Sequence, residues 1–169
     1  MKKSNRKGFT LVELVVVIAI IGILAAILVP TMMNYVKKSR LKSANSNAKL
    51  IFTTANNQAA DMVAEGEDPV AFTFNGTPAS DTGTTFDAKV KNAVYKALKD
   101  NGDGVGFAAY KINDVGEVTG AQWATGTGSK IVGQYPNPEN NPDTTHSFGT
   151  GFNGTDVGTA TQQQSGGGN

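Results

Sequence analysis

The sequence contains no cysteine, so disulfide bridges, thiolate nucleophiles and cysteine-based metal sites are all excluded. An exported protein of 169 residues would have to hold its core together without covalent cross-links. Histidine occurs once, at His146, which argues against a transition-metal centre because no second histidine or cysteine is available. No nucleophile-elbow motif surrounds a serine. The sequence therefore predicts a protein that is not an enzyme and needs neither a metal nor another cofactor.

Acidic side chains are missing from the first twelve residues, in which Lys2, Lys3, Arg6 and Lys7 are basic. The formal net charge of the chain is +1, but without residues 1–8 there are 11 basic and 14 acidic side chains, which gives −3. A mildly acidic surface is atypical of proteins that bind nucleic acids through phosphate contacts. We therefore predict no specific nucleic-acid partner.

Charged residues are almost absent from residues 9–29, an apolar run of 21 residues that contains only Glu13. As a helix, this run would span the hydrocarbon core of a bilayer, which is about 30 Å thick. Three interpretations compete. A cleaved secretory signal peptide usually has an apolar run of about 7–15 residues and a small-residue cleavage site, which is missing here. An uncleaved membrane anchor fits the length but leaves the acidic residue unexplained.

The third interpretation, cleavage between Gly8 and Phe9, explains Glu13. Cleavage would remove the basic leader and place a new α-amino group on Phe9, with a typical pKa of about 7.7–8.0. Glu13 would then be the fifth residue of the shortened chain. In a bundle of staggered helices, its carboxylate could meet the amino group of a neighbouring copy. An acidic residue inside a membrane segment indicates function when such a partner exists.

The stretch KGFTLVE at residues 7–13 resembles the prepilin cleavage motif of bacterial type IV pilins and their relatives. The resemblance implies that a membrane prepilin peptidase cuts after Gly8 and methylates the amino group of Phe9, and that Glu13 guides docking into a filament. It also implies that Gly22 and Pro30 weaken the helix, so that the stretch between them could extend when helices pack. Membrane helices tolerate both residues, however, so simple tolerance is the alternative interpretation.

The function implied by the resemblance is that of a structural subunit, which polymerises with copies of itself through N-terminal helices into a type IV pilus for adhesion or motility. Its other partners would be the prepilin peptidase, the pilus assembly machinery and the membrane. The subunit would lie in the cytoplasmic membrane before assembly and in an extracellular filament afterwards. A pseudopilin of a type II secretion or DNA-uptake machine and a minor adhesive pilin are the alternatives. In its lack of cysteine, the chain resembles cysteine-free pilins of the kind seen in Gram-positive bacteria.

The remaining sequence predicts an α+β fold. Small and apolar residues recur at helical spacing as far as Gly66 and Pro69, so the first helix is expected to continue through residues 31–63. A loop with short extended pieces is predicted at residues 70–86, and a short second helix at residues 87–99 with Gly102 at its cap. Strands at residues 105–112, 117–124 and 130–135 indicate an antiparallel meander that packs on the long helix. The helical stripe consists of Leu41, Ala44, Ala48, Ile51, Ala55, Ala59 and Met62.

These elements divide the chain into five predicted parts. They are a cleaved leader (1–8), a transmembrane or filament-core helix (9–30), its continuation into the head (31–63), the globular head (64–155) and a tail (156–169). The Gly- and Gln-rich composition of the tail predicts disorder. Phe148 and Phe152 are expected to attach the residues before it to the sheet.

Two weaker candidate sites lie in the predicted head. Residues 100–105 (DNGDGV) partly match a calcium-binding loop, but Lys99 and Tyr110 occupy positions where that loop needs carboxylates. A turn is therefore the preferred interpretation. Trp123, Tyr110 and Tyr135 could form a carbohydrate-binding platform, although side chains that alternate along strands more often belong to the core.

Overall fold

A computed structural model describes residues 8–126, 128–138 and 140–142, within two compact units, Met1–Val36 and Lys37–Asn169. The elements are α1 (Leu11–Ala64), β1 (Phe72–Gly76), α2 (Phe86–Asp100), β2 (Phe107–Ile112), β3 (Val118–Ala124) and β4 (Gly133–Tyr135). The predicted α+β fold is therefore confirmed.

The first unit consists, in its described part, of the N-terminal portion of α1 and the residues just before it. Its large apolar side chains are 39–86% exposed and lie on every side of the helix. This portion makes α1 long and apolar enough to cross a membrane, by length and composition. Apolar residues on every side are typical of a helix that other apolar groups surround.

In the second unit, α1 presents a stripe of buried residues to the core. The predicted stripe is confirmed at every position, because Leu41, Ala44, Ala48, Ile51, Ala55, Ala59 and Met62 are all buried. The helix ends in a Schellman motif, in which Gly66 has a φ of +91°. The Gly66 N–H donates to the Val63 carbonyl (3.0 Å), and the Glu67 N–H donates to the Met62 carbonyl (3.0 Å). The predicted break at residues 64–69 is therefore correct.

The four strands form one antiparallel sheet in the order β1-β2-β3-β4, as expected for a meander. The extended pieces predicted within residues 70–86 make up an edge strand, β1, which pairs along its whole length with β2. Helix α2 connects these two strands. Its C-cap is Asn101, and Gly102 follows at the next position with a φ of +87°, the left-handed conformation that glycine supplies at the end of a helix.

The sheet has two faces, which differ in what they contact. We call inner the face that carries Ala108, Tyr110, Ile112, Ala121 and Trp123, because these residues share one core with the buried stripe of α1 and with Val90, Val94 and Leu98 of α2. The other face, called outer, carries Phe107, Ala109, Gln122, Ala124 and Gln134.

The aromatic residues proposed as a carbohydrate platform belong largely to this core. Tyr110 is fully buried and stacks on Phe74, with ring centroids 5.2 Å apart. Trp123 is 3% exposed, and its indole N–H donates to the Val105 carbonyl at 3.1 Å. Tyr135 is half-buried against Phe52. The core interpretation is therefore correct for Tyr110 and Trp123.

Candidate functional site

The predicted processing and assembly residues lie at the start of the chain that the structure describes. Gly8 and Phe9 precede α1 and are exposed. Thr10 and Glu13 form a capping box, a reciprocal pair of hydrogen bonds at a helix N-terminus. The Glu13 carboxylate accepts from the Thr10 backbone N–H (2.8 Å) and from its hydroxyl (2.6 Å), and the Thr10 hydroxyl accepts from the Glu13 N–H (3.3 Å).

This pairing of Thr10 with Glu13 was missed in the sequence, although its signal is local. A threonine followed three residues later by glutamate, just before an apolar run, is the sequence signature of a capping box. Two consequences follow for Glu13. Its carboxylate accepts from one backbone donor, the Thr10 N–H, that the helix leaves unpaired. It is also bonded to Thr10, the residue that follows Phe9, whose amino group is predicted to be freed.

Gly22 and Pro30, the predicted points of weakness, both lie inside helical backbone. A Cβ added to Gly22 would meet nothing within 4 Å, so packing within the described chain does not require glycine there. Pro30 has no N–H and therefore leaves the carbonyl of Ala26 without its usual helix partner. The Thr31 hydroxyl donates to the Leu28 carbonyl (2.8 Å) in the same turn. The helix persists through Pro30.

The helix surface around these residues is apolar apart from one charged side chain. Between residues 8 and 36, Glu13 is the only charged side chain. Eighteen or more consecutive apolar residues in a helix match the thickness of a bilayer core. Exposed apolar patches much larger than a few hundred Å² are rare on soluble monomers, so such a surface requires lipid or other apolar helices around it.

In the second unit, two asparagines of α1 accept hydrogen bonds from backbone N–H groups of the sheet. The Asn45 side-chain oxygen accepts from the Gln134 N–H of β4 (3.1 Å), and that of Asn56 accepts from the Val118 N–H of β3 (3.3 Å). Both asparagines satisfy strand donors. Beside Asn45, a Cβ added to Gly133 would lie 2.0 Å from the carbonyl carbon of Ala44, so β4 touches the helix backbone.

A third asparagine, Asn47, ties α1 to the turn that follows α2. It is fully buried, donates to the Asp103 carboxylate at 3.0 Å and accepts from the Asn101 side chain. Ser43 donates to the same carboxylate at 2.5 Å. These bonds, that of Ser43 first and that of Asn47 second, hold the pKa of Asp103 below its usual value. The DNGDGV stretch thus supplies Asp103 to a structural network, which agrees with the turn interpretation.

His146, Phe148 and Phe152 lie outside the described residues, as do most of the leader and the predicted tail.

Comparison with known proteins identifies relatives of the N-terminal segment and of a larger part of the chain. Residues 3–29 match the family model described as the prokaryotic N-terminal methylation motif. A type IV major fimbrial protein FimA of Dichelobacter nodosus is 32% identical over 139 residues, which cover 74% of this chain and 86% of that protein. Another FimA of that organism is 36% identical over 91 residues (50% of this chain, 57% of the relative). The type IV major alpha-pilin of Moraxella bovis is 40% identical over 83 residues (48% and 49%).

Coverage varies among these relatives. The chain spans 57% of the second FimA and 46% and 62% of two further relatives, so it covers about half the length of several curated relatives. No solved structure matches the chain.

Proposed function

This chain belongs to the type IV pilin family, and from that membership we infer that it is a structural subunit, made as a prepilin and polymerised into a type IV pilus on the cell surface. The proposal assigns the leader to residues 1–8, the filament-core helix to 9–30 and its continuation to 31–63. The head would comprise residues 64–155 and the tail residues 156–169. Its partners would be copies of itself, the prepilin peptidase, the assembly machinery and, before assembly, the cytoplasmic membrane.

One observation carries the proposal: the exposed apolar part of α1, residues 11–36, has a single charge, Glu13, near its start. A lone apolar helix of this kind suits a lipid bilayer, and a bundle of such helices suits a filament core. In both settings Glu13 is costly unless a positive group neutralises it. Because identical subunits related by a rotation that does not close extend indefinitely, one such pairing repeated along the axis would build an open helical filament.

Gly8 and Phe9 would form the processing site. Both are exposed and lie in non-helical backbone before α1, where a peptidase can reach the bond between them. Cleavage would remove the basic side chains of the leader and leave an amino group on Phe9, which would then be methylated. A family of this kind needs no catalytic chemistry of its own, so we propose no enzymatic activity.

Glu13 would set the axial register between subunits. Among the residues that the structure describes, the Glu13 carboxylate is hydrogen-bonded to Thr10. The Phe9 amino group of a neighbour would carry a full positive charge, which Thr10 lacks, so Coulombic attraction would add to its hydrogen bond with the carboxylate and let it compete with Thr10. Gly22 and Pro30 would let the intervening turns extend during packing, since both residues lower helix stability.

The direct test uses filaments sheared from cells that express the chain. Intact mass and N-terminal sequencing should find an N-methylated Phe9 as the first residue, in abundant long fibres. The same mature chain confined to membranes would contradict the pilus and indicate a pseudopilin. A chain that still begins at Met1 would refute the proposed processing.

A variant test isolates the role of Glu13. Glu13→Ala should be processed normally yet yield at most about a tenth of the wild-type filament mass, because an unneutralised Phe9 amino group would have to enter the core. Glu65→Ala removes an exposed acidic side chain outside the apolar run and serves as the matched control. Normal filaments from Glu13→Ala would refute the register role and leave the pilin assignment standing.

A further inference from the structure

Basic side chains cluster at the start of the second unit. Four of the six residues 37–42 are basic, and no acidic residue occurs between Glu13 and Asp61. Lys38, Arg40 and Lys42, here called the basic patch, are exposed, and none of them forms an ion pair or a side-chain hydrogen bond with a described residue. Lys38 and Lys42 are one helical turn apart, a spacing at which like charges destabilise a helix. The patch therefore favours a partner that brings negative charge.

Acidic side chains cluster further along, where α1 ends. Residues 61–68 contain four acidic residues and no basic one. Asp61, Glu65 and Asp68, here called the acidic patch, are exposed, and their carboxylates have no ion-pair or hydrogen-bond partner in the part of the chain that the structure describes. The fourth acidic residue, Glu67, is paired with Lys89. Both patches belong to the second unit.

The position of the acidic patch is unfavourable for the subunit itself. Cations stabilise the C-terminus of a helix and anions do not, because the helix macrodipole is negative there. Helix α2 follows this rule, with Asp87 in its first turn and Lys99 in its last. Helix α1 breaks it, since its last turn contains Asp61 and no basic residue. Stability of the head therefore does not explain why acidic residues lie there.

We propose that the basic patch of one subunit docks on the acidic patch of a second copy, an interaction that rests on the proposed polymerisation. The two patches match in number and are opposite in sign. They cannot meet within one subunit, because Lys42 and Asp61, their nearest members, are 19 residues and thus about 28 Å apart along α1. Contact between two different patches is heterologous, so it can repeat indefinitely along an open helix.

The docking differs in reach from the contact proposed for Glu13. Arg40 and Glu65, near the centres of the two patches, are 25 residues apart, which is about 37 Å of helix. Two subunits joined through the patches would be displaced by about that distance along this part of α1. The proposed contact between Glu13 and the amino group of Phe9 spans only four residues. The patches would therefore join a different pair of neighbours in the filament.

The test reverses the charges in the full chain and measures the mass of filaments sheared from cells. Reversal of the basic patch should lower that mass at least about fivefold, because like charges would then face each other between subunits. Reversal of the acidic patch should have the same effect. Both reversals in one chain restore complementarity and should restore most of the filament mass. The substitutions are Lys38→Glu, Arg40→Glu and Lys42→Glu in the basic patch, and Asp61→Lys, Glu65→Lys and Asp68→Lys in the acidic patch.

Two controls make the result specific. Lys96→Glu, Lys99→Glu and Lys130→Glu together change the net charge as much as reversal of the basic patch does, at exposed positions elsewhere in the same unit. This variant should keep close to the wild-type filament mass. Glu65→Ala should keep it too, because it removes one charge of six and exposed ion pairs are individually weak. Emission from Trp123 in detergent micelles verifies that each variant is folded.

A coupling experiment on unaltered filaments needs no variant and decides if a reversed chain fails to fold. A carbodiimide joins an amine to a carboxylate directly and therefore records groups that are in contact. Peptide mapping should find Lys38 or Lys42 coupled to the acidic patch. Such links must lie between copies, because α1 holds the two patches of one subunit far apart.

Four outcomes would overturn the proposal. They are normal filaments from either reversed variant, an equal loss in the triple-lysine control, coupling of the basic patch only to other carboxylates, and a combined variant no better than the separate reversals. The last would assign the basic patch to another anionic partner, such as lipid headgroups. Absence of filaments from the unaltered chain would instead contradict the proposed function.

Discussion

Replacement of Gly133 by alanine should strongly destabilise the head. A Cβ at this position would lie 2.0 Å from the carbonyl carbon of Ala44, 2.1 Å from its oxygen and 2.3 Å from the backbone nitrogen of Asn45. Real contacts of this kind need about 3.4 Å or more, so β4 would have to move away from α1. Overpacking of a well-packed interior costs about 1–3 kcal/mol.

The movement would also break a hydrogen bond. The Gln134 N–H donates to the Asn45 side chain at 3.1 Å, and β4 is only three residues long. Leaving such a partly buried pair unsatisfied costs about 1–3 kcal/mol. Together the two effects amount to about 4 kcal/mol, a large fraction of the roughly 5–15 kcal/mol that stabilises a typical domain.

Urea unfolding followed by tryptophan emission measures this loss. Trp123 is the only tryptophan and lies in the head core, so its signal reports the head and not the apolar part of α1. With a denaturant dependence of about 2 kcal/mol per M, a loss of about 4 kcal/mol lowers the midpoint by about 2 M. Gly128→Ala is the matched control, because a Cβ there meets nothing within 4 Å.

Two results would refute this reasoning. One is a free energy of unfolding for Gly133→Ala that lies within about 0.5 kcal/mol of that of the Gly128→Ala control, the usual range for surface changes. The other is rescue by Ala44→Gly. The clash involves backbone atoms of Ala44 and Asn45, so removing the Ala44 methyl group cannot relieve it, and a rescue would mean that side-chain crowding is the cause.

Three further predictions concern other parts of the chain. Tyr110→Phe should leave the urea midpoint unchanged or raise it slightly, because the buried Tyr110 hydroxyl has no hydrogen-bond partner among the described residues; a loss of more than about 1 kcal/mol would reveal a partner. Because the folded-state pKa of Asp103 is lowered, the stability that its carboxylate contributes is present above the unfolded pKa of about 3.9 and is lost as the pH falls through the folded pKa. Below about pH 4 the urea midpoint of Asp103→Asn should therefore decline less steeply than that of the wild type. An identical slope would contradict this. Gly8→Ile should leave the precursor at full mass in a gel or mass spectrum, since a branched side chain beside the proposed cut would obstruct the peptidase, and undiminished processing would move the cleavage site elsewhere.

Helices and strand order could be predicted because their signals are local. The spacing from Leu41 to Met62 identified every stripe position, and the turns between short extended runs indicated the meander. Strand β1 was harder, because five residues next to a loop become a strand only when β2 offers them a partner. The roles of Asn45 and Asn56 could not be deduced either, since periodicity gives the side of a helix but not the strand N–H groups that reach it.

Some features of the candidate site could likewise be predicted from the sequence, and others could not. The basic leader, Gly8, Phe9 and Glu13 form a pattern within a few residues, so the sequence alone indicated the family that the comparisons then identified. The capping box of Thr10 and Glu13 was equally local and could have been found. The packing of Val132 against Ala109 and Ala124 could not, because these residues belong to separate parts of the sequence that meet only in the folded sheet.

The exposure of the apolar part of α1 has a consequence for how a subunit travels. Complete burial of one large aliphatic side chain gains about 1.5–3 kcal/mol. With more than a dozen such side chains exposed, passage of a single subunit through water would cost on the order of tens of kcal/mol. A subunit would therefore exchange one apolar environment for another without an aqueous intermediate. In the proposed fibre, growth would be a transfer from bilayer to bundle, with the membrane as the store from which subunits are drawn.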